Sequence, residues 1–405
     1  MMRTRAFRSV AFLSGAWLVL GAHASAQSGG PQSDEKSAGR WTLKPYVDTT
    51  LDSANHAQPT TAARKPPVQV VWLRDREWFL PAIADPKPAA MAFAFPMFSD
   101  AFEFSQEPGR RVTWDVSLGQ EIPIVVIENF TPSTPIRGRW GVGLWTAISF
   151  HVLEEFKDPS APIINTDYRF SLATLKFRRV QRSIGGLGEN HADYLDLKAD
   201  LYHHESTHLG DEFVLGAVRK FPDLFERINV SYEFWDVAAS YEWRRRIHPE
   251  GESDAYFKSM IRGGVLGVWP HAEGYYSEQT LEVDSRRISH SKRNLEPYFQ
   301  FEYWAPHPTP SGSDRPRRWA PFVSVDARYK TVYDYFKVSD DVSEDKQWSL
   351  NVLVGLRTGA DSPLSVKDVY ARFYNGVNPH GQLRNQRDYT AFGFGVNFNT
   401  GQLRR

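Results

Sequence analysis

Long runs of strict two-residue alternation constrain this chain more than any other feature. In YTAFGFGVNF, residues 389–398, Phe392, Phe394, Val396 and Phe398 share one face, and Ala391, Gly393, Gly395 and Asn397 share the other. Neighbouring side chains take opposite sides only on an extended strand, so one side of this strand is bulky and apolar and the other small. The split recurs in Trp348, Leu350, Val352, Val354 and Leu356 against Ser349, Asn351 and Gly355. It recurs again in Val323, Val325, Ala327 and Tyr329 against Ser324, Asp326, Arg328 and Lys330. Leu295, Phe299, Phe301 and Tyr303 oppose Glu296, Gln300 and Glu302, and Trp140, Val142, Leu144, Ile148 and Phe150 oppose Gly141, Gly143 and Ser149.

From about Val112 onward no 3.6-residue stripe is sustained, and the turn clusters DPSAP, GGLGEN, PSGSD and RTGADSP separate the runs. The domain is therefore all-β. Soluble sandwiches also alternate, but with polar outer faces and turns every 8 to 12 residues or so. Here the runs exceed about 9 residues and aromatics gather near their ends, as in a transmembrane barrel with lipid outside, a polar lumen and aromatic girdles. The sequence predicts an antiparallel transmembrane β-barrel of about 12 strands, with 14 as the alternative if residues 269–292 hold a further hairpin.

Composition agrees with that class. Aromatic residues make up 14% of the chain while mean hydropathy is −0.47, which suits strands with one greasy face. The 48 basic and 48 acidic residues cancel, so no nucleic acid is expected as a partner. Cysteine is absent, which excludes disulfides, thiolate metal sites and a cysteine nucleophile.

Arg3, Arg5 and Arg8 precede an apolar run from Val10 to Gly21 and then Ala24-Ser25-Ala26, so residues 1–26 read as a signal peptide cleaved after Ala26. Residues 27–65, rich in Ser, Asp, Ala, Thr and Pro, read as a disordered leader. Prolines interrupt every apolar piece of residues 66–110, which are expected to form a plug or a periplasmic preface. Residues 111–399 are assigned to the barrel and 400–405 to a tail. Beyond the leader no segment has the roughly 18 apolar residues of a membrane-spanning helix.

One motif invites chemistry. His204-Glu205-Ser206-Thr207-His208 contains the H-E-x-x-H string of zinc proteases. That motif works on a helix; on a strand, residues four apart stand roughly 13 Å from one another, too far to share a zinc. Leu195, Leu197, Ala199 and Leu201 alternate with Asp196, Lys198 and Asp200, which makes this stretch a strand, and Gly210 follows it. No metal is expected. Continued to His208, the alternation places His204, Ser206 and His208 in the lumen with Lys198 and Asp200, and points His203 and Glu205 outward.

In that register His204 and Ser206 are second neighbours, close enough for an imidazole to take the hydroxyl proton, with Asp211 or Glu212 orienting it. The pair is similar to the H-x-S arrangement of outer-membrane phospholipase A and lipid A deacylases, which implies catalysis by His204, Ser206 and Asp211. The competing expectation is a polar network filling the barrel. Inward charges of mixed sign, among them Glu296, Glu302, Asp326, Arg328, Lys330, Asp368 and Arg372, define no simple ion filter. FYNGVNPHGQL, residues 373–383, reads as a turn between the last two strands; Asn375, His380 and His208 are its and the motif's candidates for binding.

Three stretches, FLPAIADPKP at 79–88, LYHHESTHLGDEF at 201–213 and FYNGVNPHGQL at 373–383, together resemble a family of bacterial proteins known as a domain of unknown function, DUF1207. INTDYRF at 164–170 and INVSYEF at 228–234 add to the likeness. The family's middle motif is matched by Tyr202, His204, Ser206, Thr207, His208, Leu209, Gly210, Asp211 and Glu212, with Glu205 at its free position. A zinc protease could not spare that glutamate. The resemblance implies an outer-membrane-like barrel and supplies no activity. The expectation is an integral outer-membrane barrel, structural or passing small solutes, with outer-membrane lipids as partners and no cofactor. A Ser/His lipid hydrolase is the alternative, and a zinc protease ranks last.

Overall fold

The computed structural model describes residues 68–72, 82–86, 91–99, 111–129, 139–155, 163–181, 191–211, 214, 228–246, 256–277, 295–305, 319–331, 346–358, 366–380, 383 and 388–398. The predicted signal peptide, leader and C-terminal tail lie outside them.

The strands are β1 (Gln69–Trp72), β2 (Met91–Ser99), β3 (Arg111–Glu128), β4 (Trp140–Glu155), β5 (Ile163–Gln181) and β6 (His191–Leu209). They continue as β7 (Ile228–Arg246), β8 (Tyr256–Ser277), β9 (Leu295–Trp304), β10 (Trp319–Thr331), β11 (Lys346–Thr358), β12 (Val366–Gly376) and β13 (Tyr389–Phe398). Each of β3 to β13 pairs antiparallel with its sequence neighbour, and β13 pairs back onto β2, which pairs with β3. Twelve strands, β2 to β13, thus close into a barrel without a free edge, and β1 is a thirteenth.

The seam departs from the expected boundary at residue 111. β2 lies within residues 66–110, yet it is a wall strand that zips β13 to β3. The edge of β3 that takes β2 at Arg111–Ser117 takes β1 at Val125–Glu128. β1 and β2 therefore share one strand position, split by the chain between Trp72 and Met91.

Residues 82–86 of that chain lie in the lumen. Ala82 and Ala84 are fully buried, and three inward side chains of neighbouring strands hold the backbone between them. Ile83 N donates to Glu302 Oε2 at 3.0 Å, Ala84 N donates to Ser324 Oγ at 3.0 Å, and Asn351 Nδ2 donates to the Ala84 carbonyl at 2.6 Å. Asp85 faces Arg328 at 3.2 Å. Pro86 has no amide proton to give to a strand ladder, and the buried wall groups satisfy the backbone polar groups that a strand would have paired. Ala84 packs with Phe322, Leu353 and Tyr370, so the plug brings its own small apolar core.

The alternation read from the sequence decides the faces. Leu197, Leu350, Phe299 and Phe392 are 38–48% exposed on the outside, whereas their immediate neighbours Asp196, Asn351, Gln300 and Ala391 are buried. Aromatics gather toward both ends of the outer face, Tyr329 with Trp348 at one and Tyr241 with Trp243 at the other, with ring centroids 5.2 and 4.9 Å apart.

The lumen is a paired network. Arg178 binds Asp196 through two bonds of 2.7 Å, and Lys258 reaches Glu302 at 3.1 Å and Glu242 at 3.5 Å. Gln300 joins Asp326, Arg357 joins Asp368, and Lys198 joins Asp236. Ladders of this kind satisfy charges that burial would otherwise penalise heavily. At the end of the barrel where β12 turns into β13, a second core closes the interior: Tyr374, Tyr389, Leu383, Leu153, Ile164, Leu209 and Val214.

Candidate functional site

The motif His204–His208 lies on β6, as expected, and the extended backbone there separates His204 from His208 by four residues of strand. The expected facing fails. Up to Asp200 the alternation holds: Asp196 and Asp200 are 2% and 4% exposed, Leu197 and Leu201 44% and 50%. Beyond it, the buried residues are His203, Glu205, Thr207 and Leu209, at 8% or less. His204, Ser206 and His208 therefore face outward.

A β-bulge causes the reversal. Asp200 pairs with Asp236 of β7 and the next pair is His203 with Phe234, so β6 spends three residues where β7 spends two. The pairing of β5 with β6 slips at the same level, between Ser171 and Thr174. Asp200 pins the bulge from inside, accepting from Ser171 Oγ at 2.8 Å and meeting His203 Nδ1 at 3.3 Å. His203 stacks on Phe234, and Glu205 pairs with Arg169 at 3.1 Å, which anchors the new phase in the lumen. On the outside Trp269 Nε1 donates to the Leu201 carbonyl at 3.3 Å. One inserted residue flips every later side chain because the period is two.

The outward residues form a cluster across two strands. The Ser206 hydroxyl and His208 Nε2 lie 3.0 Å apart. His204 instead turns toward β7: its Nε2 is 3.3 Å from Ser231 Oγ and its Nδ1 is 3.9 Å from Glu233 Oε1. Tyr202 OH donates to the same Glu233 oxygen at 2.5 Å. Register explains the meeting, since His204 pairs with Glu233 and Ser206 with Ser231. On the other side the cluster abuts apolar wall: Tyr168 pairs with Ser206 and Phe170 with His204, both of them well exposed, and Tyr168 meets His208 edge-on.

The cluster thus stands at the rim of the apolar belt. Leu195, Leu197, Ala199 and Leu201 carry that belt up β6, and polar groups replace it from Tyr202 onward. Chemically, the arrangement places two hydroxyls against two imidazoles with a carboxylate behind one of them, the elements of acyl transfer through a serine.

The other expected site residues fall elsewhere. The imidazole beside the Ser206 hydroxyl is that of His208, while His204 turns toward β7. Asp211 is exposed in the turn that follows Gly210, and the carboxylate that stands by His204 is Glu233. His380 is buried near the end of the barrel where β12 turns into β13, 3.9 Å from both Asp115 and Asp167. Asn375 is exposed at the end of β12, where its amide donates to Thr390 Oγ1 at 2.8 Å. Sequence reasoning missed Tyr202, Ser231 and Glu233 as partners. Their signal was present in INVSYEF, where Ser231 and Glu233 fall two residues apart, but only the pairing with β6 gives it meaning. Among the described residues no group of three or more His, Asp or Glu side chains is arranged to hold a metal ion.

A closed antiparallel barrel with an apolar outer belt and a plugged polar interior defines the class: a transmembrane β-barrel protein. The chain belongs to the family described as "Protein of unknown function (DUF1207)", which matches residues 44–259. No curated relative matches the sequence. Among solved structures, the chain is similar to outer membrane phospholipase A from Escherichia coli, at 11% identity and a TM-score of 0.37, covering 80% of this chain and 94% of that one. It is also similar to the translocator domain of autotransporter NalP from Neisseria meningitidis, at 9% identity and a TM-score of 0.32, covering 76% and 87%. The outer membrane protein OprD from Pseudomonas aeruginosa matches at 8% identity and a TM-score of 0.23, covering 79% and 96%. These likenesses are too distant to transfer a residue or an activity.

Proposed function

We propose that this protein is an outer-membrane barrel that cleaves acyl esters of membrane lipids at its lipid-facing wall, with Ser206 as nucleophile and His208 as base. One observation carries the reading: the bulge at Asp200–His203 turns Ser206 and His208 outward, 3.0 Å apart, at the rim of the apolar belt. Acyl esters of a lipid lie at that level, between the chains and the head group, so the chains would rest on Tyr168, Phe170 and Leu201 while the carbonyl meets the serine.

The chemistry follows from the pair. Ser206 Oγ attacks the ester carbonyl as its proton passes to His208 Nε2. The bond to the alcohol oxygen then breaks and the alcohol leaves with that proton. Water, deprotonated by the same imidazole, releases the fatty acid and restores the hydroxyl.

Refolded protein in mixed micelles with phospholipid or lipopolysaccharide tests this directly. Fatty acid should appear, and Ser206→Ala and His208→Ala should each sharply lower its release while heat-modifiable gel mobility stays unchanged. If the wild-type protein releases nothing from any envelope lipid, the hydrolase reading is wrong.

Passage of small solutes finds less support. Ala82–Pro86 occupies the lumen, and the core around Tyr374 and Tyr389 closes one end. A sealed structural barrel is the second reading, favoured by that plug, and it differs from the first only in lacking turnover.

A further inference from the structure

His204 is not idle in this cluster, and its neighbours make it the middle of a second relay. Its Nε2 faces Ser231 Oγ at 3.3 Å, and its Nδ1 faces Glu233 Oε1 at 3.9 Å. Glu233 is itself held by Tyr202, whose hydroxyl donates to the same oxygen at 2.5 Å. The order is hydroxyl, imidazole, carboxylate, anchoring phenol. A carboxylate at Nδ1 leaves Nε2 as the acceptor of a serine proton and stabilises the imidazolium once that proton has moved. The 3.9 Å between Nδ1 and Oε1 is an ion-pair distance rather than a hydrogen bond, and the relay requires that gap to close when substrate draws the groups together.

The positions support reactivity rather than a buried network. The His204 and Glu233 side chains are 39% and 25% exposed. All four residues face outward, and His204 and Glu233 are direct cross-strand partners, so the strand pairing itself sets their approach. Ser231 in turn is the cross-strand partner of Ser206. The β-carbons of such partners lie about 4.5–5.5 Å apart. Two hydroxyls, each with its own imidazole, therefore present themselves to the same stretch of lipid.

We infer that Ser231, with His204 as base and Glu233 orienting it, is a second acyl-accepting nucleophile beside Ser206. The inference rests on the hydrolase reading above for its substrate class, the acyl esters of membrane lipids. A diacyl lipid offers two neighbouring ester carbonyls, and the Ser206–Ser231 pair offers two neighbouring nucleophiles to receive them. Tyr202 is a positioning residue, acting through Glu233.

An alkyl fluorophosphonate tests each serine separately. The serine oxygen attacks phosphorus, the P–F bond breaks, fluoride leaves and the serine proton goes to the imidazole. With full-length refolded protein in detergent, peptide mapping by mass spectrometry should find adducts on both Ser206 and Ser231. Ser206→Ala should keep the Ser231 adduct, and Ser231→Ala should keep the Ser206 adduct. Glu233→Gln should slow labelling at Ser231 by on the order of tenfold to a hundredfold while leaving Ser206 within about twofold of wild type. An adduct on Ser206 without one on Ser231, or equal slowing at both serines in Glu233→Gln, overturns this inference and leaves the hydrolase reading standing. No adduct on either serine, in protein whose heat-modifiable mobility shows the folded barrel, overturns both.

Discussion

Inside the barrel, the backbone amide of Ala84 donates to the hydroxyl of Ser324, 240 residues away in sequence, at 3.0 Å. The bond joins a segment that cannot be a strand to the middle of one that is. With Asn351 on the Ala84 carbonyl, Arg328 on Asp85 and Glu302 on the Ile83 amide, it seats the plug by side chains of three successive strands, β9 to β11.

The seated plug predicts electrical silence. Wild-type protein reconstituted in a planar bilayer should show no stepwise conductance, because Ala82–Pro86 sits in the lumen among paired inward charges. Asn351→Leu removes the donor to Ala84 and a partner of Arg372, and should cost about 1–3 kcal/mol in urea-induced unfolding from micelles. Unaltered stability in that variant would show that the plug does not sit as described.

Asp115 and Arg372 meet at 2.6 Å between β3 and β12, both side chains 7% exposed. Replacing Arg372 with Leu leaves a buried carboxylate without its guanidinium, and should lower stability by about 3–5 kcal/mol. Replacing both, Asp115→Leu with Arg372→Leu, should recover much of that loss. The measurement is a double-mutant cycle of urea midpoints, and strict additivity would contradict the pairing.

The outer belt makes its own prediction. Phe394 is 56% exposed on β13, a position with lipid around it in this reading. Phe394→Arg should cost about 2–4 kcal/mol on folding into lipid vesicles if it lies near the bilayer midplane. In detergent-free buffer the wild-type protein should precipitate. A soluble, monomeric protein there would refute the membrane assignment.

Gly376 ends β12 with φ of +128°, and a β-carbon there would stand 2.5 Å from Ser349 Cα and from the Trp348 carbonyl oxygen. Gly376→Ala should therefore destabilise by about 1–3 kcal/mol, through backbone strain and these close contacts together. The neighbouring turn, where Val377 N donates to Ser349 Oγ at 2.9 Å, should open with it, seen as faster amide exchange at Val377. Normal exchange and an unchanged midpoint would argue against this turn.

The zinc question has a direct answer as well. Metal analysis of purified protein should find no stoichiometric zinc, and His204→Ala with His208→Ala should leave the unfolding midpoint insensitive to chelator. A full equivalent of zinc lost in that double variant would require a helix where β6 is described.

The local rhythm of the sequence was enough to determine that the chain is an all-β barrel, which faces of β9 to β13 meet lipid, and that residues 204–208 lie on a strand. Alternation is a property of adjacent residues, so Phe392 and Phe394 announce their side without reference to anything distant. Two matters required the tertiary structure. Whether Ser206 faces lumen or lipid depends on one residue inserted opposite Phe234–Asp236, and a bulge exists only relative to its partner strand. Whether AIADP is wall, preface or plug depends on Glu302, Ser324 and Asn351, side chains brought around it only when β13 closes on β2. Facing is written along the chain, but its phase and its occupants are settled between strands, where no local pattern reaches.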